Sequence, residues 1–270
     1  MKINLYSYYP QFNDFQKPNF IEWAKEGTIE AYHDAFIPSA VNSNSKKKIA
    51  ILTEPRCIWD ITYGMLDIEK FLKENNNIFK YIFTFDNELL KLPNAKPMSF
   101  PGIWYSSNIE KTKNISMCCS NKSMCKSHLK RKEIANKLKN KVDILGDYLG
   151  PQRVTTKDIY SEYKYSIVLE NEHSYWYYTE KVINAFANKC IPIYYGSSRI
   201  LELFNPKGII IIDDLNNIEE IIDNLDIQYY EKNINATNEN FELAKQYRCY
   251  EDCLYQNYKE ELERLDKIDD

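Results

Sequence analysis

From residue 114 onward the chain alternates short apolar runs with helix-like stretches, and this alternation limits the fold more than any other feature. The expected strands are 114–120, 142–145, 165–170, 191–195 and 208–212, and the expected helices are 126–139, 157–161, 179–188, 198–204 and 218–225. Strands separated by helices pair in parallel, because a parallel neighbour is reached only through a crossover. A sheet covered by helices on both faces also reads as continuous apolar runs, as Ile191-Pro192-Ile193-Tyr194-Tyr195 does here. The expected fold class is therefore α/β, with a doubly wound sheet in this half.

The first half carries a weaker version of the same pattern. Residues 2–9 read as a first strand, and 19–27 as a short helix with Pro18 before it and Gly27 at its end. A Ser/Asn/Lys-rich loop, 39–48, leads into Ile49-Ala50-Ile51-Leu52-Thr53, a buried strand bounded by Glu54-Pro55. A helix over 64–73 and a strand over 81–85 complete a βαβ unit. Pro93, Pro97, Pro101 and Gly102 then cluster where a first domain would end. The expected division is 1–113, 114–227 and a polar helical segment, 228–270, whose Phe241, Ala244 and Tyr247 recur at helical spacing and pack back on the body.

Composition removes several function classes. With 35 basic and 39 acidic residues the net charge is −4, so no global basic field is present to hold nucleic acid. The longest aliphatic run, Ile209 to Ile212, is far shorter than the roughly 20 residues of a membrane-spanning helix. The N-terminus reads as a strand and not as a secretory leader, so a cytoplasmic location is expected. Seven cysteines without CxxC spacing fit free thiols in a reducing compartment. Cys118, Cys119, Cys125 and His128 form a loose cluster, but adjacent cysteines on a strand point to opposite faces and do not readily share one ion. With 7 glycines the chain carries no GxGxxG and no GxxxxGK[ST], which removes the main signatures of dinucleotide-binding dehydrogenases and P-loop NTPases.

The stretch 163–214 is the informative one. Its apolar strand ends in Glu170-Asn171, an aromatic loop follows, and Thr179-Glu180-Lys181 opens a helix. In an open α/β sheet, ligands bind outside the carboxyl ends of the strands, which is where this loop falls. Thr179 suits the N-cap, which puts Glu180 and Lys181 in the first turn. A lysine is disfavoured there by the helix dipole, so its presence points to a nearby anion such as a phosphate or diphosphate. A capped surface helix with a solvated lysine explains the same residues without a ligand.

The segment resembles the donor-binding motif of glycosyltransferase family 10, the α-1,3/1,4-fucosyltransferases, in soluble bacterial or viral form. The likeness rests on Glu170-Asn171, the aromatic loop, Thr179-Glu180-Lys181, Ile191-Pro192 with Gly196, and Phe204-Asn205-Pro206; upstream it extends through Ser120-Asn121-Lys122, His128, Arg131, Val142-Asp143 and Gly146. It covers residues 114–225 well and the earlier residues loosely.

The resemblance implies a GT-B fold, two Rossmann-like domains facing a cleft, with an acceptor domain first and a donor domain second. It implies inverting, metal-independent transfer of L-fucose from GDP-fucose to a glycan hydroxyl of the α-1,3 type, with no cofactor beyond the nucleotide-sugar donor. Arg131 and Lys181 are then the cations on the donor diphosphate, Glu180 the acceptor of ribose hydrogen bonds, and Asn171 and Tyr177 residues lining the nucleotide-sugar pocket. The general base falls to Glu54, after an apolar strand of the first domain. The family pattern has Gly between Thr and Glu and no Pro after it, whereas this chain reads Thr53-Glu54-Pro55-Arg56. Asp213-Asp214 lies at a strand end without forming a DxD motif, and capping is the commoner role for such a pair. His128, His173 and Trp176 are further residues near this chemistry, with packing as their alternative role. Tyr6, Tyr8, Tyr9, Trp59, Tyr63, Trp104 and Tyr105 offer rings for sugar stacking or for the core. A different nucleotide sugar on the same fold, an inactive binding module, and an unrelated flavodoxin-like domain remain as alternative readings.

Overall fold

The structure is a computed structural model that describes residues 1–8, 17–151, 153–226 and 228–268. Residues 9, 227 and 269–270, at which the expected first strand and two of the expected domain limits end, lie outside the described residues. The chain divides into two compact units, Met1–Phe100 with Cys249–Asp270, and Pro101–Arg248.

The first unit holds strands β1 (Lys2–Tyr6), β2 (Glu22–Trp23), β3 (Ile29–His33), β4 (Lys48–Ile51), β5 (Tyr81–Thr84) and β6 (Ala95–Pro97). All pair in parallel, in the order β2-β1-β3-β4-β5-β6. Helices α1 (Trp59–Tyr63) and α2 (Ile68–Asn75) connect β4 to β5. Asp67 caps α2 by accepting from the Lys70 N–H at 3.0 Å. Ile68 and Leu72, one helical turn apart, bury against Ala50, Leu52 and Ile82.

Residues 19–27 are not a helix. They form β2 and a turn, because the backbone N–H groups of Glu22 and Ala24 donate to the carbonyls of Met1 and Ile3 at 2.8 and 2.9 Å. At Gly27 the two backbones meet so closely that a Cβ would overlap Ile3 and Asn4. Helix-forming residues here yield to strand pairing supplied by the rest of the unit.

The second unit holds β7 (Lys113–Cys118), β8 (Asp143–Leu145), β9 (Tyr163–Leu169), β10 (Ile191–Tyr195) and β11 (Ile210–Ile211). These strands are also parallel, in the order β11-β10-β9-β7-β8. Between and after them run α3 (Lys126–Leu138), α4 (Thr156–Tyr160), α5 (Glu180–Phe186), α6 (Ile200–Leu203), α7 (Ile218–Asp223), α8 (Tyr229–Lys232) and α9 (Ile234–Ala244). Alternation along the central strands feeds a core on each face. Ile167, Leu169, Ile191 and Ile193 enter one, and Val168 and Tyr194 the other.

Two boundaries differ from the expected division. Residues 101–113 belong with the second unit, because Ile103 N–H donates to the Arg248 carbonyl at 2.9 Å and Trp104 N–H to Asn184 Oδ1 at 2.8 Å. The C-terminal segment also does not act as one piece. Helices α8 and α9 stay with the second unit, whereas the last helix, Tyr250–Asp266, joins the first. There Asp252 accepts from the backbone N–H of Asn19 at 2.7 Å, and Glu261 pairs with Lys96 at 3.1 Å. Among the described residues no helix is long and apolar enough to cross a membrane.

Candidate functional site

The second sheet places its ligand crevice by topology. From β7 the chain moves outward to β8, then returns to place β9 on the other side of β7, so the winding reverses between β7 and β9. Helices that follow two such strands lie on opposite faces and leave a gap at the carboxyl ends. A cavity of about 340 Å³ opens there. Its walls come from the end of β7 (Cys118, Ser120), the end of β9 (Leu169, Asn171), α3 with the loop before it (Lys122, His128, Arg131), α4 (Thr156, Tyr160) and α5 (Glu180, Lys181, Asn184).

Arg131 leaves α3 toward the end of β9, where its Nη2 donates to the Leu169 carbonyl at 2.7 Å and to Asn171 Oδ1 at 2.8 Å. One amino group thus anchors the guanidinium and holds the Asn171 amide. Lys181 is fixed from below by Glu170, whose carboxylate is buried at 3% residue exposure and accepts from the Thr179 N–H at 3.0 Å and the Thr179 hydroxyl at 2.8 Å. Lys181 Nζ sits 3.5 Å from Glu170 Oε2, 3.3 Å from Glu180 Oε1 and 3.2 Å from Thr179 Oγ1. Burial pushes the Glu170 carboxyl up, while Lys181 and Thr179 oppose that shift. Burial pulls the Lys181 ammonium down, and Glu180 and Glu170 more than offset it, so Lys181 stays charged. Gly196 completes this arrangement. A Cβ there would overlap the Tyr194 ring and come within 2.8 Å of Glu170 Cγ.

Three cations, Lys122, Arg131 and Lys181, line the cavity against one carboxylate, Glu180. Glu170 is a second carboxylate, 3.5 Å beneath Lys181, so the three cations leave a net positive wall suited to an anion. Thr179 caps α5 by accepting from the Lys181 N–H at 3.3 Å, so part of the first turn's donor capacity is already used. An anion entering this cavity would accordingly be met mainly by side chains.

Of the residues expected from sequence, Arg131, Asn171, Glu180 and Lys181 meet in this cavity. Tyr177 does not line it; the residue is 4% exposed, and its N–H donates to the Ser174 carbonyl at 3.1 Å. His173 stacks on Tyr195 at 4.6 Å, and the Arg199 guanidinium lies 4.0 Å from the Trp176 ring, so packing occupies both loop residues. Trp104, grouped by sequence with the first domain, is a cavity wall of the second unit. Asn184 holds it there by accepting from its N–H. Neither Trp104 nor Asn184 was marked by a motif. Glu170 belonged to a recognised pair, but its role under Lys181 depends on three-dimensional contacts.

Cys118 faces the cavity while Cys119 is buried in the core. Burial pushes the Cys118 thiol up more than Arg131 and Lys181 pull it down, so it remains protonated and a poor nucleophile. Among the described residues no three His, Cys, Asp or Glu side chains are grouped to hold a metal ion.

Glu54 belongs to the first unit, just past the carboxyl end of β4. Its backbone is held on both sides. Asp34 accepts from the N–H groups of Thr53 and Glu54 at 2.9 and 3.3 Å and from the Thr53 hydroxyl, and Trp59 Nε1 donates to the Glu54 carbonyl at 2.8 Å. Asp34 itself takes φ +42°, a conformation uncommon for a non-glycine residue. Arg56 is engaged by Asp86 Oδ1 at 2.7 Å and Glu69 Oε2 at 2.6 Å. Tyr6 stacks on Tyr32 at 4.6 Å and Trp59 is buried, so these aromatics fill the core.

Comparison with known proteins bears on the family and the fold. The family profile described as "Glycosyltransferase family 10 (fucosyltransferase) C-term" matches residues 109–264. The α-(1,3)-fucosyltransferase FucT of Helicobacter pylori is 33% identical over 109 residues, 40% of this chain and 20% of that protein. The putative fucosyltransferase R654 of Acanthamoeba polyphaga mimivirus is 29% identical over 142 residues, 51% of this chain and 20% of that protein. The matched segments therefore span a fifth of each relative's length. The crystal structure of an α1,3-fucosyltransferase with GDP superposes with a TM-score of 0.57 at 16% identity, covering 100% of this chain and 91% of the other. With two parallel sheets flanked by helices, the fold is α/β of the GT-B type. Matched by the family profile over more than half its length, the chain belongs to glycosyltransferase family 10.

Proposed function

We propose that the protein transfers L-fucose from GDP-fucose to a glycan hydroxyl with inversion at the anomeric carbon, and that side-chain cations serve where other enzymes use a metal. The observation that carries this reading is the convergence of Arg131 and Lys181, from helices after the two switch-point strands, on one cavity whose lining holds three cations and one carboxylate. Family membership and the GDP-containing structural neighbour support the choice of donor.

In this mechanism the acceptor oxygen attacks the anomeric carbon from the face opposite the diphosphate. The new C–O bond forms as the bond to the diphosphate oxygen breaks, and GDP departs with the bonding pair. The hydroxyl proton passes to Glu54, acting as general base. Negative charge on the β-phosphate grows as the bond breaks, so Arg131 and Lys181 stabilise the transition state more than the ground state. Glu180 accepts the ribose hydroxyls, and Asn171, oriented by Arg131, contacts the sugar side of the donor.

The test is GDP release from GDP-fucose with a panel of oligosaccharide acceptors, with the product linkage read by NMR. GDP release that needs both protein and acceptor, and an anomeric configuration opposite to the donor's, is expected. Turnover of another nucleotide sugar would keep the fold and replace fucose. Binding without turnover of any donor would favour a recognition module.

A further inference from the structure

We infer that His128 is part of the donor site and takes up a proton when the diphosphate arrives, which makes donor affinity pH-dependent. The inference rests on the donor reading above and adds a residue and a linkage to it.

His128 lies on α3, one turn before Arg131, and lines the cavity although only 6% of the residue is exposed. Its Nδ1 is buried and has no hydrogen-bond partner among the described residues. Buried polar atoms in folded proteins are nearly always paired, and an unpaired one in a cavity wall is placed to meet a ligand, a water or an ion in that cavity.

The surroundings set its charge. Burial disfavours the imidazolium, and Arg131, Lys122, Lys181 and Lys132 disfavour it further. The other ionisable groups lining this cavity are Glu180 from α5, the Cys118 thiol from β7, which burial keeps neutral, and the Tyr160 phenol from α4, which burial also keeps neutral. In the empty cavity the imidazole is therefore neutral near pH 7. Three of the four cations also line the cavity, and a bound diphosphate would neutralise their field. The same imidazole then stands beside a dianion and becomes more basic. The sign follows from linkage. Because the bound state holds the proton more tightly, affinity is full below the free-state pKa, itself below the ordinary value near 6.5, and is lost as pH rises through the bound-state pKa.

The experiment is calorimetric titration of wild type, His128→Gln and His128→Asn with GDP-fucose, without acceptor, near pH 7 in two buffers of different ionisation enthalpy. Both phosphates of GDP-fucose are esterified and do not titrate near neutrality, so any proton taken up goes to the protein. Wild type is expected to take up a substantial fraction of one proton and to weaken about tenfold or more between about pH 6 and about pH 8. The variants, checked for folding by thermal melting, are expected to take up none and to show a nearly flat profile. A purely structural His128 would lower affinity equally at all pH values and leave proton uptake unchanged, and that result overturns the inference alone. Absence of GDP-fucose binding to wild type overturns it together with the donor reading.

Discussion

Replacing Glu54 with Gln is expected to lower kcat by about a hundredfold or more while leaving donor affinity within about twofold of wild type. Gln keeps the size of Glu and one acceptor oxygen but cannot take up the proton. The peptide around residue 54 is anchored by Asp34 on one side and by the Trp59 indole on the other, and neither contact uses the Glu54 side chain. The substitution therefore leaves the loop in place and isolates the proton transfer. Nucleotide binding should not change, because the cations proposed to hold the diphosphate are in the second unit. The measurement is steady-state kinetics combined with titration of GDP-fucose. A near wild-type kcat would remove Glu54 as the base.

Replacing Arg131 with Ala is expected to cost about a thousandfold in kcat/KM, at the upper end of what one oxyanion-stabilising donor supplies. Two effects combine. The variant removes the charge proposed to face the leaving group, and it also releases the Leu169 carbonyl and the Asn171 amide that the guanidinium holds at 2.7 and 2.8 Å. Leaving those acceptors without a donor adds about 1–3 kcal/mol of destabilisation, visible as a lower melting temperature. Arg131→Lys tests the geometry separately from the charge. A lysine has one ammonium and cannot anchor Asn171 and grip phosphate through a planar fork, so it should recover only part of the loss. Equal activity of the lysine variant and wild type would mean that charge alone matters at this position.

The second unit was the more legible in sequence because its central strands are covered on both faces. Ile191–Tyr195 reads as an uninterrupted apolar run and is a strand over those same residues, and Lys126–Leu138 ends one residue short of the expected helix. Thr179 was readable as a cap because capping is a local interaction. The first unit was harder to read. The strand Ile29–His33 carries Glu30, whose carboxylate accepts from Tyr32 and Ser43 hydroxyls at 2.8 and 2.6 Å, so a charge interrupts what would otherwise be an apolar signal. The cavity shows the same split. Arg131, Glu180 and Lys181 followed from a motif. Trp104 reaches the cavity because residues 101–107 are tied to Asn184, Ala187 and Asn188 by long-range hydrogen bonds that leave no periodic trace. Asp34 holds the Glu54 loop across about twenty positions of sequence, and no local pattern announces such a contact.

Whether Lys181 and Arg131 make the second unit a nucleoside-diphosphate site is decided by the thermal stability of wild type and Lys181→Ala with GDP, UDP, CDP and ADP. A ligand at a hundred times its dissociation constant stabilises the folded state by about 2.7 kcal/mol. The variant starts from a lower baseline, because Glu170 loses the cation 3.5 Å away, so each protein is compared with its own ligand-free melt. Wild type is expected to shift with GDP, and Lys181→Ala to lose that shift. The absence of a shift with any nucleotide, or a GDP shift that survives intact in the variant, would contradict the nucleoside-diphosphate reading.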